Sequence, residues 1–308
     1  MSTSDKTLTV FTPAYNRGYS IHLCYESLCR QTCKDFVWLV VDDGSTDNTA
    51  ELIKKWQKID SGFEIKYVYK KNGGMHTAHN CAYENIETPL NVCIDSDDYM
   101  TDNAVEKIVT FWAENGSEKY GGIIALDMLE NGKIIGSKLD GDRKSTTLSG
   151  FYKRGGSGDK KLIYRTDVMK KYPPYPEFEG EKYVSLAYKY SLADRDYEML
   201  IMNEPVCVVE YMADGSSTNM YRQYLKNPKG FAFIRKNDMI DNPDIKDVFR
   251  SCVHYVSSSI ISKNKKFISE SPKKFLTVLA VPFGAVLTVY IKEKAKGFMK
   301  VEGFENNS

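Results

Sequence analysis

Three carboxylates stand close together at Asp95, Asp97 and Asp98, directly after the apolar run at 90–94. Because clustered negative charge is costly when it is unpaired, we expect a positive group beside them. Oxygen ligands on a short turn suit a hard cation such as Mg²⁺ or Mn²⁺, which takes its remaining ligands from water and substrate phosphates. The turn therefore predicts a divalent-metal site, and an acidic cap on the helix predicted from residue 102 is the structural alternative.

A second acidic turn, DDGSTD at 42–47, closes another apolar run at 36–41. Its carboxylates can accept hydrogen bonds from a nucleobase N–H or from ribose hydroxyls, and Gly44 and Ser45 suit a tight turn into a helix. Taken alone, the segment is better explained as a good turn and helix cap. Two such turns after two strands of one sheet would lie at the same edge, and that coincidence favours a ligand site.

The elements that must position these turns are short apolar runs alternating with helical patterns. The sequence predicts strands at 8–13, 36–41, 65–69, 90–94 and 123–126, and helices at 19–32, 47–58, 76–86 and 102–114. This alternation is typical of an α/β fold with a mostly parallel sheet, whose ligands bind at the carboxyl ends of the strands. Residues 130–180 read as an irregular loop of the kind that often forms a lid. A helix, a turn and a last strand are predicted for 181–212, and a helical region for 219–272.

Composition narrows the classes of partner. The 308 residues have a formal net charge of +1, which lacks the basic excess of nucleic-acid-binding proteins, so we expect no nucleic-acid partner. The seven cysteines are odd in number and form no CxxC pair, which favours a reduced compartment. The polar start at 1–7 has no secretory pattern. We therefore expect the catalytic part in the cytoplasm, either free or peripheral on the inner face of the cytoplasmic membrane.

An apolar segment at 275–291 is flanked by lysines on both sides and contains Pro282. It is at the lower length limit for a spanning helix, and the proline weakens that interpretation. Flanking lysines favour shallow, peripheral contact with a membrane surface. Burial within the protein's own domain or against the partner in a homodimer is the other alternative.

Six segments, taken together in this order, resemble family 2 glycosyltransferases with the GT-A fold. They are TPAYNR (12–17), QT (31–32), VVDDGSTDNT (40–49), KKNGG (70–74), AHN (78–80) and DSDDY (95–99). The resemblance covers about the first 130 residues. It implies a Rossmann-like mixed sheet with helices on both faces, followed here by a helical C-terminal extension. It also implies a UDP-sugar donor and a Mn²⁺ or Mg²⁺ ion.

The same resemblance assigns roles to residues of the first half. Asp97 is expected to ligate the metal directly, and Asp95 to contribute to the metal site or to face ribose or sugar. Asp43 is expected to read uracil, with Asp42 beside it. The other donor-binding positions that it implies are Thr12, Pro13, Tyr15, Asn72, Gly73, Gly74 and Ser96.

In such a transferase the base must come from outside the donor half. The resemblance points to FEGEKYV at 178–184, with Glu181 as the base and Glu179 in reserve. A carboxylate that caps a helix is the structural alternative for Glu181.

Asp214 lies where relatives carry an additional metal ligand, although an Asp-Gly turn explains it as well. His76 and His79 could contact the donor, but a structural role is favoured.

The sequence thus predicts a GT-A catalytic domain at 1–218, with a donor half at 7–130 and an acceptor half at 131–218, and a helical region at 219–308. The predicted reaction is inverting transfer of a hexosyl or N-acetylhexosaminyl group from a UDP-sugar to a hydroxyl of a glycan or lipid-linked glycan. The context would be capsule, cell-wall or O-antigen synthesis. A nucleotidyltransferase and a non-catalytic sugar-nucleotide or glycan-binding module are the alternatives.

Overall fold

The computed structural model describes residues 6–210 and 220–305. The chain divides into two compact units, the first made of 1–174 and 189–212 and the second of 175–188 and 213–308. The predicted acceptor half at 131–218 is therefore shared between the two units. All seven cysteines are unpaired thiols.

The first unit begins with the predicted alternation of strands and helices. Its elements are β1 (Leu8–Ala14), α1 (Ile21–Arg30), β2 (Phe36–Asp42), α2 (Thr49–Trp56), β3 (Glu64–Tyr69), α3 (Met75–Asn85) and β4 (Leu90–Cys93). The strands pair in parallel in the order β3-β2-β1-β4. β1 and β2 are buried along their whole length, as expected for strands covered on both faces.

The chain then changes direction and completes the sheet. The remaining elements are β5 (Tyr99–Met100), α4 (Ala104–Asn115), β6 (Tyr120–Met128), β7 (Ser145–Thr146), α5 (Leu148–Lys153), β8 (Lys160–Arg165), α6 (Thr166–Lys171), α7 (Ala187–Asp196) and β9 (Glu198–Val208). The sheet order continues β4-β8-β6-β9-β5, and β7 pairs with β9. The mixed α/β fold is confirmed.

The prediction of an irregular loop for 130–180 is wrong at β8. This strand lies in the middle of the sheet, antiparallel to both β4 and β6. Its sequence, KKLIYR, begins with two lysines and has no clear apolar alternation. The two flanking strands bury it, and that tertiary context overrides the local pattern.

Aromatic rings and aliphatic side chains fill the core of the first unit. Tyr25 on α1 stacks on Trp56 of α2 with ring centroids 4.3 Å apart, and Trp38 of β2 lies beneath them. Burying one side chain of this size contributes about 1.5–3 kcal/mol. The Trp38 indole N–H donates to Thr12 Oγ1 at 3.0 Å, which satisfies a buried donor and ties β1 to β2.

The second unit is helical, as predicted for the C-terminal region. Its helices are α8 (Met220–Lys226), α9 (Pro228–Asp241), α10 (Ile245–Ile261), α11 (Phe267–Glu270) and α12 (Lys274–Glu305). Met239, Cys252, Tyr255, Val256 and Ala280 form their shared core. Asp244 caps α10, because its carboxylate accepts the Lys246 N–H at 2.8 Å.

Candidate active site

The predicted ligand loops lie side by side at the carboxyl edge of the first unit's sheet. β1 is paired with β2 on one side and β4 on the other, so Ala14 lies level with Asp42 and Phe11 lies level with Cys93. The loop after β1 is thus flanked by DDGSTD on one side and DSDD on the other. The prediction that both acidic turns share one edge is confirmed.

Asp42 is a buried anchor for its own turn. One carboxylate oxygen accepts the Ser45 N–H at 2.7 Å and the other accepts the Tyr67 hydroxyl, also at 2.7 Å. Burial and the Asp42 carboxylate raise the pKa of Tyr67, so this hydroxyl remains a donor. Both oxygens therefore serve the protein's own structure.

Asp43 holds the KKNGG loop. Its carboxylate accepts hydrogen bonds from Lys70 Nζ at 2.6 Å, from the Gly73 N–H at 2.9 Å and from the Gly74 N–H at 2.7 Å. Asn72 Nδ2 donates to the Asp43 carbonyl at 2.7 Å. The predicted donor-binding residues of the two loops are thus brought together as one charge-assisted cluster around the buried Asp43 carboxylate. In this arrangement the Gly73 and Gly74 amides bind Asp43.

Gly44 shows how closely the two loops pack. Its φ is +82°, and a Cβ at this position would lie 2.7 Å from the backbone nitrogen of Asn72. A glycine is therefore required both for the backbone conformation and for the contact.

The loop after β1 contributes one exposed ring and one fixed amide. Thr12 and Pro13 are buried in the strand, whereas the Tyr15 side chain is 46% exposed. Asn16, which the sequence analysis missed, has φ +53° and receives the Thr46 N–H on Oδ1 at 2.8 Å. Its own N–H donates to Ser45 Oγ at 2.9 Å. These bonds tie the loop to the DDGSTD turn.

Side chains alternate in burial along the DSDD turn. Asp95 is exposed and Asp97 half-buried, whereas Ser96 and Asp98 are buried. The Asp98 N–H donates to the Asp95 carbonyl at 3.0 Å, which closes the turn. Strand β5 follows at once and pairs with β9. The turn is therefore held at both ends and presents Asp95 and Asp97 more openly than their neighbours.

A lysine that was not predicted from the sequence supplies a positive charge beside the carboxylates of the DSDD turn. The side chain of Lys161 on β8 is only 12% exposed, and its Nζ lies 3.8 Å from Asp98 Oδ2 and 3.6 Å from Asp127 Oδ1. Burial lowers the pKa of Lys161, but Asp127, Cys207 and Asp98 outweigh it and raise the pKa well above the usual value. Burial raises the pKa of Asp98 to about 7, while Lys161 opposes that shift. Only the pairing of β8 between β4 and β6 brings this lysine to the turn.

A divalent cation suits the donor set that the turn presents. Asp95 and Asp97 offer carboxylate oxygens only, which are the ligands that Mg²⁺ and Mn²⁺ prefer. Among the described residues no three His, Cys, Asp or Glu side chains form a ready-made metal site. A hard cation held by Asp95 and Asp97 would keep several waters and could also bind substrate phosphates.

The two histidines of α3 are buried beside the site. Burial lowers the pKa of His76 to about 4 and that of His79 to about 3, so both are neutral at physiological pH. The His79 ring packs edge-on against Phe11 at 5.0 Å between centroids. These positions agree with the structural role that the sequence favoured.

The predicted base region belongs to the second unit. Glu181 precedes α7 by six residues, and its two carboxylate oxygens accept the N–H groups of Lys229 and Gly230 at 2.9 and 2.8 Å. It therefore caps the N-terminus of α9, which is the structural alternative stated for it. Glu179 is exposed. Asp214 lies outside the described residues.

Comparisons with known proteins agree with this geometry. The family model described as Glycosyl transferase family 2 matches residues 9–172, more than half of the chain. The glycosyltransferase GlyA of Streptococcus pneumoniae is 33% identical over 114 residues, which are 36% of this chain and 16% of GlyA. The putative teichuronic acid biosynthesis glycosyltransferase TuaG of Bacillus subtilis is 31% identical over 107 residues, 35% of this chain and 42% of TuaG. The matched segment thus spans less than half the length of either relative.

Solved structures share the fold. Staphylococcus aureus TarS in complex with UDP-GlcNAc superposes with a TM-score of 0.60 at 19% identity, over 89% of this chain and 79% of that chain. The mannosyltransferase PcManGT from Pyrobaculum calidifontis, in complex with GDP-Man and Mn²⁺, gives a TM-score of 0.54 at 14% identity, over 98% and 80%. With the family model covering most of the first unit, this chain belongs to glycosyl transferase family 2.

Proposed function

We propose that this chain is an inverting, metal-dependent glycosyltransferase that moves a sugar from a UDP-sugar to a hydroxyl of a glycan or lipid-linked glycan. The observation that carries the proposal is the juxtaposition at one sheet edge. A rigid assembly built on Asp42 and Asp43 lies beside a turn that presents Asp95 and Asp97. One side can form a fixed nucleoside pocket, and the other can bind a cation and the diphosphate.

For donor binding, exposed Tyr15 is positioned to pack against the base, and Asp43 with the KKNGG loop forms the floor of the pocket. The UDP-GlcNAc in the TarS structure supports a uridine donor, whereas the GDP-Man in PcManGT makes the guanosine donor the alternative to test. Asp97 would ligate the cation, with Asp95 as a second ligand or a ribose contact. A bound cation would stabilise the charge that develops on the departing diphosphate.

In the transfer step the acceptor oxygen bonds to the anomeric carbon while the bond from that carbon to the UDP phosphate oxygen breaks. The acceptor proton passes to a carboxylate. Glu181 is the predicted base, but both of its oxygens accept backbone N–H groups, and taking a proton would displace one of them. This geometry supports exposed Glu179 as the base and Glu181 as the group that fixes its segment.

The acceptor class draws support from the relatives. Besides GlyA and TuaG, the teichoic acid poly(glycerol phosphate) polymerase of Staphylococcus epidermidis is 34% identical over 108 residues, 35% of this chain and 14% of that protein. These names support a surface polysaccharide as the product. A hexosyl or N-acetylhexosaminyl group is the corresponding donor sugar, and the cytoplasm is where its UDP-sugar would be met.

We also propose that α12 attaches the protein to an anionic membrane surface. Within the described chain, one helix segment, Lys274–Lys296, is long and apolar enough to span a membrane. In its most apolar stretch, 28% is buried within the protein. One face of α12 packs on α10, where Gly284 contacts Val256. The exposed apolar side chains are Phe275, Val278, Leu279, Phe283, Val286, Val289 and Tyr290, with lysines at both ends. That arrangement suits a helix lying in the headgroup region.

The membrane proposal is tested by sedimentation with phosphatidylglycerol vesicles. Val286→Ser should reduce binding, whereas Ile245→Ser should not, although the two side chains are similarly exposed at 71% and 61%. Equal binding of both variants to vesicles would contradict the proposal. Loss of a dimer in Val286→Ser by light scattering would instead assign this face to a second copy of the chain.

The transferase proposal is tested by release of UDP or GDP from a panel of nucleotide sugars with Mn²⁺ or Mg²⁺, with and without chelator. Metal-dependent release from one donor is the expected result, and Asp97→Asn should abolish it. Glu179→Gln should lower transfer but leave donor affinity unchanged. Donor binding with no turnover on any acceptor would support the non-catalytic binding module.

A further inference from the structure

We infer that Lys161 is a positioning residue for the DSDD turn, acting through Asp98. The inference rests on the proposed metal-dependent function of that turn. Of the three carboxylates, Asp98 is the buried one, and it lies within ion-pair distance of Lys161. Asp95 and Asp97 precede it in a turn closed by the Asp98 N–H. Whatever holds the Asp98 side chain therefore holds the frame on which the other two are displayed.

Three contacts hold Asp98 from the far half of the sheet. Lys161 Nζ lies 3.8 Å from Oδ2, the Glu210 N–H donates to Oδ1 at 3.3 Å, and the Cys207 thiol on β9 donates to Oδ2 at 4.0 Å. Lys161 belongs to β8, which pairs with β4 at residues 163–165, directly beside the strand that leads into the turn. The lysine therefore connects the turn to β8, one of the two central strands of the sheet.

Asp127 on β6 shares the same lysine. It is buried, and its Oδ1 lies 3.6 Å from Lys161 Nζ. One cation thus lies between a carboxylate that belongs to the turn and one that does not. Because a buried ammonium left with too few partners is costly, the two carboxylates together keep Lys161 charged and fixed.

The neighbouring lysine provides a contrast. Lys160 is buried, but its Nζ donates to the carbonyls of Ile135, Ser157 and Asp159, away from the DSDD turn. Both lysines stabilise the sheet. Of these two lysines, Lys161 is the one that contacts a carboxylate of the turn, so its loss should change how the turn binds a cation and the loss of Lys160 should not.

The experiment measures UDP affinity by calorimetry with Mn²⁺ and with chelator, together with thermal unfolding, for the wild type and four variants. Lys161→Met and Asp98→Asn should each weaken Mn²⁺-dependent UDP binding about tenfold or more. Lys160→Met should lower the unfolding temperature but leave that binding within about twofold. Asp127→Asn removes one partner of Lys161 but leaves its contact with Asp98, so it should weaken binding less than Asp98→Asn does. The pair Asp98→Asn and Asp127→Asn is matched, because each removes one carboxylate from the same lysine.

A double variant separates positioning from general destabilisation. If Lys161 acts through Asp98, adding Lys161→Met to Asp98→Asn should weaken binding by less than about twofold further. Independent, additive losses would overturn the inference, as would unchanged binding in Lys161→Met. If Lys161→Met does not fold, Asp98→Asn against Asp127→Asn decides the matter alone. Absence of Mn²⁺-dependent UDP binding in the wild type would refute the metal proposal itself.

Discussion

The clamp that Asp43 places on the KKNGG loop leads to a quantitative prediction for Asp43→Asn. The carboxylate accepts one ammonium and two backbone N–H groups and lies 5% exposed. An asparagine keeps only one of the two acceptor oxygens. Its –NH₂ group takes the place of the other oxygen and faces a hydrogen-bond donor, and Lys70 loses its buried counter-charge. Removing one partner of a buried ion pair costs about 3–5 kcal/mol. We expect the free energy of unfolding of the first unit to fall by that amount.

The assay is urea unfolding followed by tryptophan fluorescence. All three tryptophans, Trp38, Trp56 and Trp112, lie in the first unit, so the signal reports on that unit alone. Lys70→Met and the double variant with Asp43→Asn complete a cycle in which the two losses should not add. If Asp43→Asn costs less than about 1 kcal/mol but changes the preference between uridine and other nucleotides, the residue reads the base and the clamp reasoning is refuted.

Three further outcomes follow from the same contacts. Gly44→Ala should lower the free energy of unfolding by about 1–3 kcal/mol more than Gly132→Ala does. Both glycines have φ near +80°, but of the two only Gly44 faces a backbone atom. Equal losses would mean that the two loops move apart to make room. Burial holds the pKa of His79 at about 3, below its unfolded value of about 6.5. The free energy of unfolding should therefore be about 2 kcal/mol lower at pH 5 than above pH 6.5, as measured by urea titrations. His79→Gln should flatten that dependence. Glu181→Gln should cost about 1 kcal/mol through its cap on α9, seen as faster amide exchange at the start of that helix, with UDP affinity unchanged.

The donor half could be predicted from the sequence because its signals are local. Strands such as β1 and β2 are continuous apolar runs, and each acidic turn follows its strand directly in the chain. Parallel pairing then requires their carboxyl ends to share an edge. The positions of Asp42, Asp43, Asp95 and Asp97 at that edge follow from this rule.

The partners of these residues could not be predicted, because they come from distant segments. Lys161 reaches Asp98 only because β8 inserts between β4 and β6, and its strand has no clear apolar pattern. Asp43 was expected to face a ligand, and its carboxylate is surrounded instead by donors from the KKNGG loop. Glu181 was expected to start a helix, and it caps one that begins 47 residues later in the chain, at Pro228.

By itself, the sequence determined the fold class, the positions of the strands along the donor half and the edge at which chemistry can occur, since strand periodicity and turn residues act over a few positions. The tertiary structure alone decided which carboxylates are neutralised within the protein and which are presented at the edge. That distinction depends on burial and on charges brought together across the sheet, where a lysine far along the chain lies within 4 Å of an aspartate.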